Sequence, residues 1–399
     1  MKRILITGAC APVSIDLSRR FHAAGHEVYL CDSNRFPVGR FTNQQHSFHR
    51  VPSPRHDTAG FISELNKIID QHQVDLLIPT SEECFYISAH RDELHCKVLI
   101  ESLELLDSLH NKFTFSQTYE NESASIPRTD LISVPHQLST FKSQSREYVF
   151  KPCYSRFAVS ALVGPSAGKL SNLAFKPAQT WVAQEKIEGT EVCSFSLANK
   201  GHLLAHASYK TPYRAGRGGG IFFEPLEHFG ILNYVQDFLL QTNFTGQIGF
   251  DFIIDSEDHP WVIECNPRST SGIHLFAMDS QLCNAYLSML DPPSASNIQQ
   301  PDEHADYVPM QSDVRMVGAA MPIWGSFQAI MTLSPGKFIR DFRSAKDVLT
   351  SKSDRGPMFY IPLTMAELGF KAIKNFQSLQ AASTEDMEWN GEQLVEELD

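Results

Sequence analysis

The chain has 399 residues, 42% hydrophobic and 20% charged, enough for roughly two to four domains and a sizeable core. A formal net charge of −12 without a long basic run argues against a nucleic-acid binder. No apolar run approaches the ~20 residues of a membrane span, and the eight cysteines form no C-x-x-C pair, which argues against a zinc or redox motif and suits buried thiols in a reducing cytoplasm.

The first third alternates strands and helices. The short apolar run of Arg3–Thr7 reads as a strand, not as a signal peptide. Val13, Leu17, Phe21 and Ala24 give a helix its apolar stripe over Val13–Ala24, and Gly25 ends it. Further strands are expected at Glu27–Cys31, closed by Asp32, at Val74–Pro79 and at Lys97–Ile100, with a helix at Phe61–Gln71. This order implies a parallel sheet with crossover helices, a Rossmann-like domain over 1–105. The turn Gly8-Ala9-Cys10-Ala11-Pro12-Val13 keeps one glycine of G-x-G-x-x-G, which argues against a dinucleotide site. Glu82 follows a strand at its carboxyl end, where open α/β sheets bind ligands. His46-x-x-His49 and the His22/His26 pair lack a supporting Cys or carboxylate and read as structural.

In the middle of the chain Asn111-Lys112-Phe113-Thr114 opens a helix, and Ile126–Thr129 is extended. Tyr148–Pro152 reads as a strand that ends in Lys151 and breaks at Pro152. The Gly/Ser-rich stretch 153–169 suits phosphate contact. Val182–Ile187 is a strand, followed by Glu188-Gly189-Thr190-Glu191. Val192–Leu197 and Leu203–Tyr209 pair through Asn199-Lys200-Gly201. The basic, glycine-rich segment Lys210–Gly220, with Arg214 and Arg217, reads as a mobile flap that seeks an anion. An amphipathic helix follows at Tyr234–Thr242.

The segment Gly249–Arg268, GFDFIIDSEDHPWVIECNPR, carries the most chemistry. It reads as two strands, Gly249–Ile254 and Trp261–Cys265, around a turn at Asp255–Pro260. Alternation sends Phe250, Phe252 and Ile254 to the core and Asp251 to the other side, and puts Val262, Glu264 and Asn266 on one face. Asp251, Glu264 and Asn266 then converge, and three oxygen donors suit Mg²⁺. Arg268 places a fixed cation where a substrate anion could meet it. Beyond it, 291–310 reads as a linker or lid. The stretch 311–380 returns to strands and helices, ending in a helix around Met365–Leu379. The end, Ser383–Asp399, is acidic, although Trp389 argues for some order there.

An acid followed by Glu264-Cys265-Asn266-Pro267-Arg268 resembles the metal-binding hairpin of the ATP-grasp superfamily, which carries E-x-N-P-R. The first acid, often Glu in that family, is Asp251 here. Asp75–Glu83 resembles D-x-x-I-P-x-x-E-E of the domain that precedes the core in such proteins, and Gln184–Glu191 resembles the hinge Q/E-E-x-I-x-G-x-E. The resemblance spans about residues 1–290. It implies an α/β and α+β chain: a Rossmann-like pre-ATP-grasp domain at 1–105 and a two-lobed ATP-grasp core at 106–290. Residues 291–399 are left as a linker and small α+β domain.

The resemblance also implies roles. Lys112 and Lys151 would meet the phosphates of ATP, backbone groups near Glu185 and Ile187 the adenine, and Glu191 the ribose. Asp251, Glu264 and Asn266 would hold Mg²⁺, with Mn²⁺ as a substitute, and Arg268, Lys151 and Asn266 would serve catalysis. The implied activity is an ATP-dependent ligase. It would activate a carboxylate as an acyl phosphate and couple it to an amine, such as an amino acid, releasing ADP and phosphate. Phosphorylation of bicarbonate or carbamate, and a silent ATP-binding regulatory subunit, are the alternatives. The expected partners are small-molecule carboxylate and amine substrates, without nucleic acid or membrane, in the cytoplasm, with a homodimer left open.

Overall fold

The computed structural model describes residues 1–156, 160–173, 175, 179–216, 218–290 and 307–392. Three sheets carry the fold. The first is parallel, with β1 (Arg3–Ile6), β2 (Glu27–Asp32), β3 (Ser47–Arg50), β4 (Leu76–Ile78) and β5 (Lys97–Val98) in the order β3-β2-β1-β4-β5. Helices α1 (Pro12–Ala23), α2 (Thr58–His72) and α3 (Glu83–Ala89) connect them. Asp57 caps α2 by accepting from the Gly60 N–H at 3.0 Å.

The strand β3 is not evident in the sequence, because Phe48 is the one apolar residue of Ser47–Arg50 and the strand pairs on one side only, with β2. His46 and His49 surround Tyr29 there, with His72 stacked on the same ring. Among the described residues no three His, Cys, Asp or Glu side chains gather as metal ligands. The strand order reverses between β1 and β4. The turns after those strands, with Gly8 (φ 72°) and Glu82–Glu83, therefore share one crevice. A Cβ on Gly8 would come within 2.5 Å of Thr80 Oγ1, so the close approach of the two turns needs glycine there.

After α4 (Leu103–His110) and α5 (Lys112–Thr118), a small antiparallel sheet combines β6 (Thr129–Ile132), β7 (Tyr148–Pro152), β8 (Leu162–Val163) and β9 (Trp181–Glu185), in the order β6-β9-β7-β8. The short α6 (Ala167–Ser171) lies between β8 and β9. A larger sheet contains β10 (Thr190–Asn199), β11 (His202–Lys210), β12 (Phe222–Pro225), β13 (Gly246–Ile254) and β14 (Pro260–Asn266), covered by α7 (Phe229–Thr242). Beyond α8 (Gln281–Leu287), the chain adds β15 (Val308–Pro309), β16 (Arg315–Met316) and β17 (Lys346–Asp347) to that sheet. It also carries α9 (Ser326–Met331), α10 (Pro335–Ser344), α11 (Gly356–Lys374) and α12 (Leu379–Ala382). Most of the proposed linker, 291–306, lies outside the described residues. The helix expected at Met365–Leu379 begins at Gly356 instead and contains Pro362.

The hairpin of β13 and β14 corrects one expectation. Strict alternation would put Val262, Glu264 and Asn266 on one face. In the structure Asp251 pairs with Glu264 while the next residue, Phe252, pairs with Val262, so Ile263 is an extra residue in β14. This bulge resets the period of two. Val262 joins Phe250 and Phe252 in the core, and Glu264 still faces the same side as Asp251.

A buried ion pair ties the C-terminal segment to α1. Arg19 Nε donates to Asp354 Oδ2 at 2.8 Å, and its terminal nitrogens donate to the carbonyls of Val348 and Leu349. Asp354 is fully buried and also accepts from Thr42 Oγ1 at 2.7 Å. Removing one partner of such a pair strands the other charge. Asp354→Ala is therefore expected to lower the unfolding free energy by ~3–5 kcal/mol in urea titrations. A loss below ~1 kcal/mol would show that Arg19 finds water or another acceptor.

Candidate active site

The site is built around the carboxylate of Glu264, which β14 presents beside Asp251 of β13. The two acids are cross-strand partners on the same side of the hairpin, so their charges repel unless a proton or a cation lies between them. Burial and the negative charge of Glu264 push the Asp251 carboxyl well up. Burial acts on Glu264 in the same direction, but Lys112 and Lys151 outweigh it and hold that group well down. The Asn266 amide donates to Asp251 Oδ2 at 3.4 Å and accepts from Arg268 Nη2 at 3.1 Å. The structure thus brings Asp251, Glu264 and Asn266 together. Two crowded carboxyl groups and an amide form an all-oxygen donor set, and a hard divalent cation could replace the shared proton.

Both lysines lie in the protein interior. Lys112, the first residue of α5, is 3% exposed and its Nζ stands 3.5 Å from Glu264 Oε2. Asn111 caps that helix by accepting from the N–H groups of Phe113 and Thr114, which fixes where Lys112 leaves the backbone. Lys151 ends β7, with its Nζ 3.8 Å from the same oxygen and 3.1 Å from the Ile263 carbonyl, which accepts its hydrogen bond. Burial brings the Lys151 ammonium down to about 8, Lys112 adds to the shift, and Glu264 opposes it.

Glu82 was marked in the sequence by its place after β4 and by the resemblance of Asp75–Glu83, but its main partner was not singled out. Glu82 is 5% exposed, and Arg156 Nε donates to it at 2.5 Å. Arg268 Nε stands 3.9 Å from its other oxygen, and the Trp389 backbone N–H donates at 3.0 Å. Burial alone would raise this acid, but Arg156 above all, with Arg268, holds it at about 2. His110, buried nearby, is pushed by desolvation to about 3 and stays neutral. Trp389 stacks on Phe85, and its indole N–H donates to Asp107 at 2.7 Å, so the order expected from that residue is present. Residues 393–399 lie outside the described part. A cation five residues past Lys151 was a signal for Arg156, but nothing local distinguishes it from a surface arginine.

At the hinge, the N–H groups of Glu185 and Lys186 donate to the carbonyls of Arg128 and Glu147, at 2.8 and 2.7 Å. The Ile187 N–H has no partner among the described residues. A cavity of about 340 Å³ opens there, lined by Arg146, Glu147, Tyr148, Glu185, Lys186 and Glu188. Glu191, at the start of β10, is exposed and ion-paired with Arg214.

The segment expected to be a mobile flap is docked. Tyr213 is 4% exposed and donates to Asp341 at 2.8 Å, and the Gln328 amide donates to the Pro212 carbonyl at 2.7 Å. Beyond Tyr213 the segment folds back on itself, with Arg214 bridged to Gly220. Arg217 lies outside the described residues. Past Arg268, Thr270 Oγ1 is spent on the Ser194 carbonyl, while the buried Ser269 Oγ has no partner among the described residues.

No family model matches the sequence, and no curated protein does. Solved structures match it well. N5-carboxyaminoimidazole synthetase from Staphylococcus aureus is 11% identical with a TM-score of 0.59, over 82% of this chain and 85% of that one. An L-amino acid ligase from Bacillus licheniformis is 13% identical with a TM-score of 0.56, over 74% and 76%. The biotin carboxylase domain of 2-oxoglutarate carboxylase from Hydrogenobacter thermophilus, solved with MgADP, ADP and bicarbonate, is 9% identical with a TM-score of 0.58, over 79% and 74%. The chain has the ATP-grasp fold. Within this ATP-grasp fold, Lys151 comes from the small antiparallel sheet and Glu264 from the large one. The lysine and acid cluster therefore sits where the two sheets face each other.

Glu82 joins this cluster to the parallel sheet. Its folded value near 2 lies below its ordinary 4.5, so the stability it adds is present above pH ~4.5 and is lost as pH falls toward 2. Glu82→Gln removes the carboxylate that Arg156 and Arg268 share and leaves only Glu388, 3.7 Å from Arg156, as a counter-charge. At pH 7 it is expected to cost ~3–5 kcal/mol in chemical denaturation. The gap from wild type should narrow steadily below pH ~4.5. A gap independent of pH would mean that packing, rather than charge, holds this junction.

Proposed function

We propose that the protein is an ATP-dependent ligase that phosphorylates a carboxylate and passes the acyl group to an amine, with ADP and phosphate released. The observation that carries this reading is the meeting of half-buried Asp251, Glu264 and Asn266 with buried Lys112 and Lys151 between two sheets. Attack of a carboxylate on the γ-phosphate brings anion onto anion, so the site must supply positive charge and hold the reactants in line. Asp251, Glu264 and Asn266 would hold Mg²⁺, which neutralises phosphate charge when bound. Lys112 and Lys151 bind the phosphates and keep their charge in the transition state. The free Ile187 N–H and the carbonyl of Glu185 meet the adenine, and Glu191 the ribose once it leaves Arg214.

Arg268 orients the acid that is phosphorylated. It is anchored by Asn266 and faces Glu82, so its guanidinium is fixed next to the donor set without belonging to it. Arg156, on the far side of Glu82, is already occupied by Trp389 and Asn390 and acts on the position of Arg268. The amine is taken to be an amino acid, which a relative of similar fold named L-amino acid ligase makes the first class to test. Bicarbonate is the second reading, favoured by the bicarbonate in the 2-oxoglutarate carboxylase structure. A screen of phosphate release from ATP and Mg²⁺ with amino acids, singly and in pairs, and with bicarbonate separates the two. Release with no acid at all would favour neither.

Two substitutions test the assignment. Glu264→Gln is expected to lower turnover by a factor on the order of 10²–10³ while the protein stays folded, since a neutral amide cannot balance the same charges. Turnover near the wild-type rate would sink the donor set. Arg268→Met is expected to lower kcat/KM for the acid by ~30-fold or more, the scale of one charged contact, and to leave ADP affinity unchanged. Loss of ADP affinity with an unchanged KM for the acid would move Arg268 to the triphosphate.

A further inference from the structure

Large hydrophobic side chains are not spread evenly over the surface. Among the described residues, seventeen of the twenty-four large exposed ones lie between Ile323 and Leu379. Monomeric proteins seldom leave such a concentration bare without a partner. On α11, Phe359, Leu363, Phe370 and Ile373 follow helical spacing on one exposed face. Pro357, Thr364, Leu368 and Ala372 bury the opposite face. No residue from Gly356 to Ala366 is charged. A helix that is apolar on both faces needs cover on both. On α9 and α10, Phe327, Ile330, Ile339 and Phe342 are exposed, and α10 has no buried residue.

The charge of this segment is opposite to that of the chain. Between 311 and 380 nine Lys and Arg stand against five Asp and Glu, in a protein of net charge −12. Its acids are spoken for: Asp341 pairs with Lys337, Asp313 with Lys346, Asp354 with Arg19. Arg340, Arg343, Lys352, Arg355 and Lys374 are exposed and have no carboxylate within ion-pairing distance among the described residues. On α10 Arg340 and Arg343 interleave with Ile339 and Phe342, so cations flank apolar side chains along one short helix.

We propose that this face of the C-terminal segment docks on an anionic lipid bilayer. Exposed aromatic and aliphatic side chains bounded by unpaired cations are the makeup of helices that lie in a membrane interface. Anionic headgroups would supply the negative charge the face lacks. A second copy of the chain fits less well. A twofold interface sets a patch against itself, and these cations would face the same cations. No helix among the described residues is long and apolar enough to cross a membrane, so the attachment is peripheral. The flap tip touches both halves of the face: a Cβ on Gly216 would come 4.0 Å from Trp324, and one on Gly218 would strike Gln380. A bilayer seated here meets the segment next to the ligase site.

The test is sedimentation of the full chain with vesicles of phosphatidylcholine alone and of phosphatidylcholine with phosphatidylglycerol, at low and high salt. Binding is expected to the anionic vesicles, to weaken at high salt, and to be slight on the neutral ones. R340Q/R343Q should lower the partition coefficient roughly 30-fold, ~5-fold for each charge lost. Phe359→Ser with Phe370→Ser should lower it at least as much, and ADP affinity of both variants should match wild type, as a check on folding. Absence of binding to either vesicle, as an acidic protein partner for this face would give, overturns the proposal. So does equal binding of wild type and variants. A lipid-free dimer that the same substitutions dissociate also overturns it, in favour of a second copy.

Discussion

The charge balance at Glu264 is the constraint on which the rest of the site depends. A half-buried carboxylate beside a second acid stays ionised where cations reach it, and here two do, from different parts of the chain. Lys112 comes from the first turn of a helix and Lys151 from the end of a strand in another sheet. Each of the three charges lowers the cost of drawing the others out of water. Burial and the neighbouring Glu264 carboxylate raise the Asp251 carboxyl instead. The cluster therefore has room for one more cation on its acid side, next to two cations suited to an anion. That polarity along a few ångströms is what phosphoryl chemistry requires.

A second charge junction decides how the parallel sheet meets the site. Glu82 leaves the crevice where the strand order reverses and is met by Arg156, Arg268 and the backbone of Trp389. Parts of the chain far apart in sequence share one carboxylate. The arrangement makes the first sheet a wall of the site rather than a separate module. It also fixes Arg268 from two sides, by Glu82 and by Asn266, so its orientation is set before any substrate arrives. The tail around Trp389 is held by the same charges, and by stacking on Phe85, which explains why an acidic end of the chain packs against a net-acidic protein.

The C-terminal segment follows a different logic. Its contacts with the remainder combine polar pairs, as at Arg19 and Asp354 or Tyr213 and Asp341, with a few apolar ones such as Tyr360 stacked on Phe41. Its apolar side chains mostly point away from them. The hydrophobic effect is used within the chain where Met316, Met321, Val348 and Leu349 join buried clusters, and is unspent on the exposed faces of its helices. Because the flap is held by this segment, whatever covers the exposed face acts next to the site.

The sequence by itself determined the alternating order of the parallel sheet, most strand and helix positions up to residue 266, and the residue types of the hairpin. Those follow from local rules: a period of two in Phe250-Asp251-Phe252, a cap at Asn111, a turn at Lys200-Gly201. Only the tertiary structure decided the rest. The bulge at Ile263 is invisible in a single strand, because it is the register with β13 that reveals one residue too many. Arg156 looked like any surface arginine until the fold brought Glu82 to it across 74 positions. The flap read as mobile from its glycines, yet Tyr213 found a buried place on a segment more than a hundred residues away. Local patterns record what each residue does to its own backbone. Ion pairs and docking surfaces depend on which distant groups arrive, and a single sequence read in order does not say which.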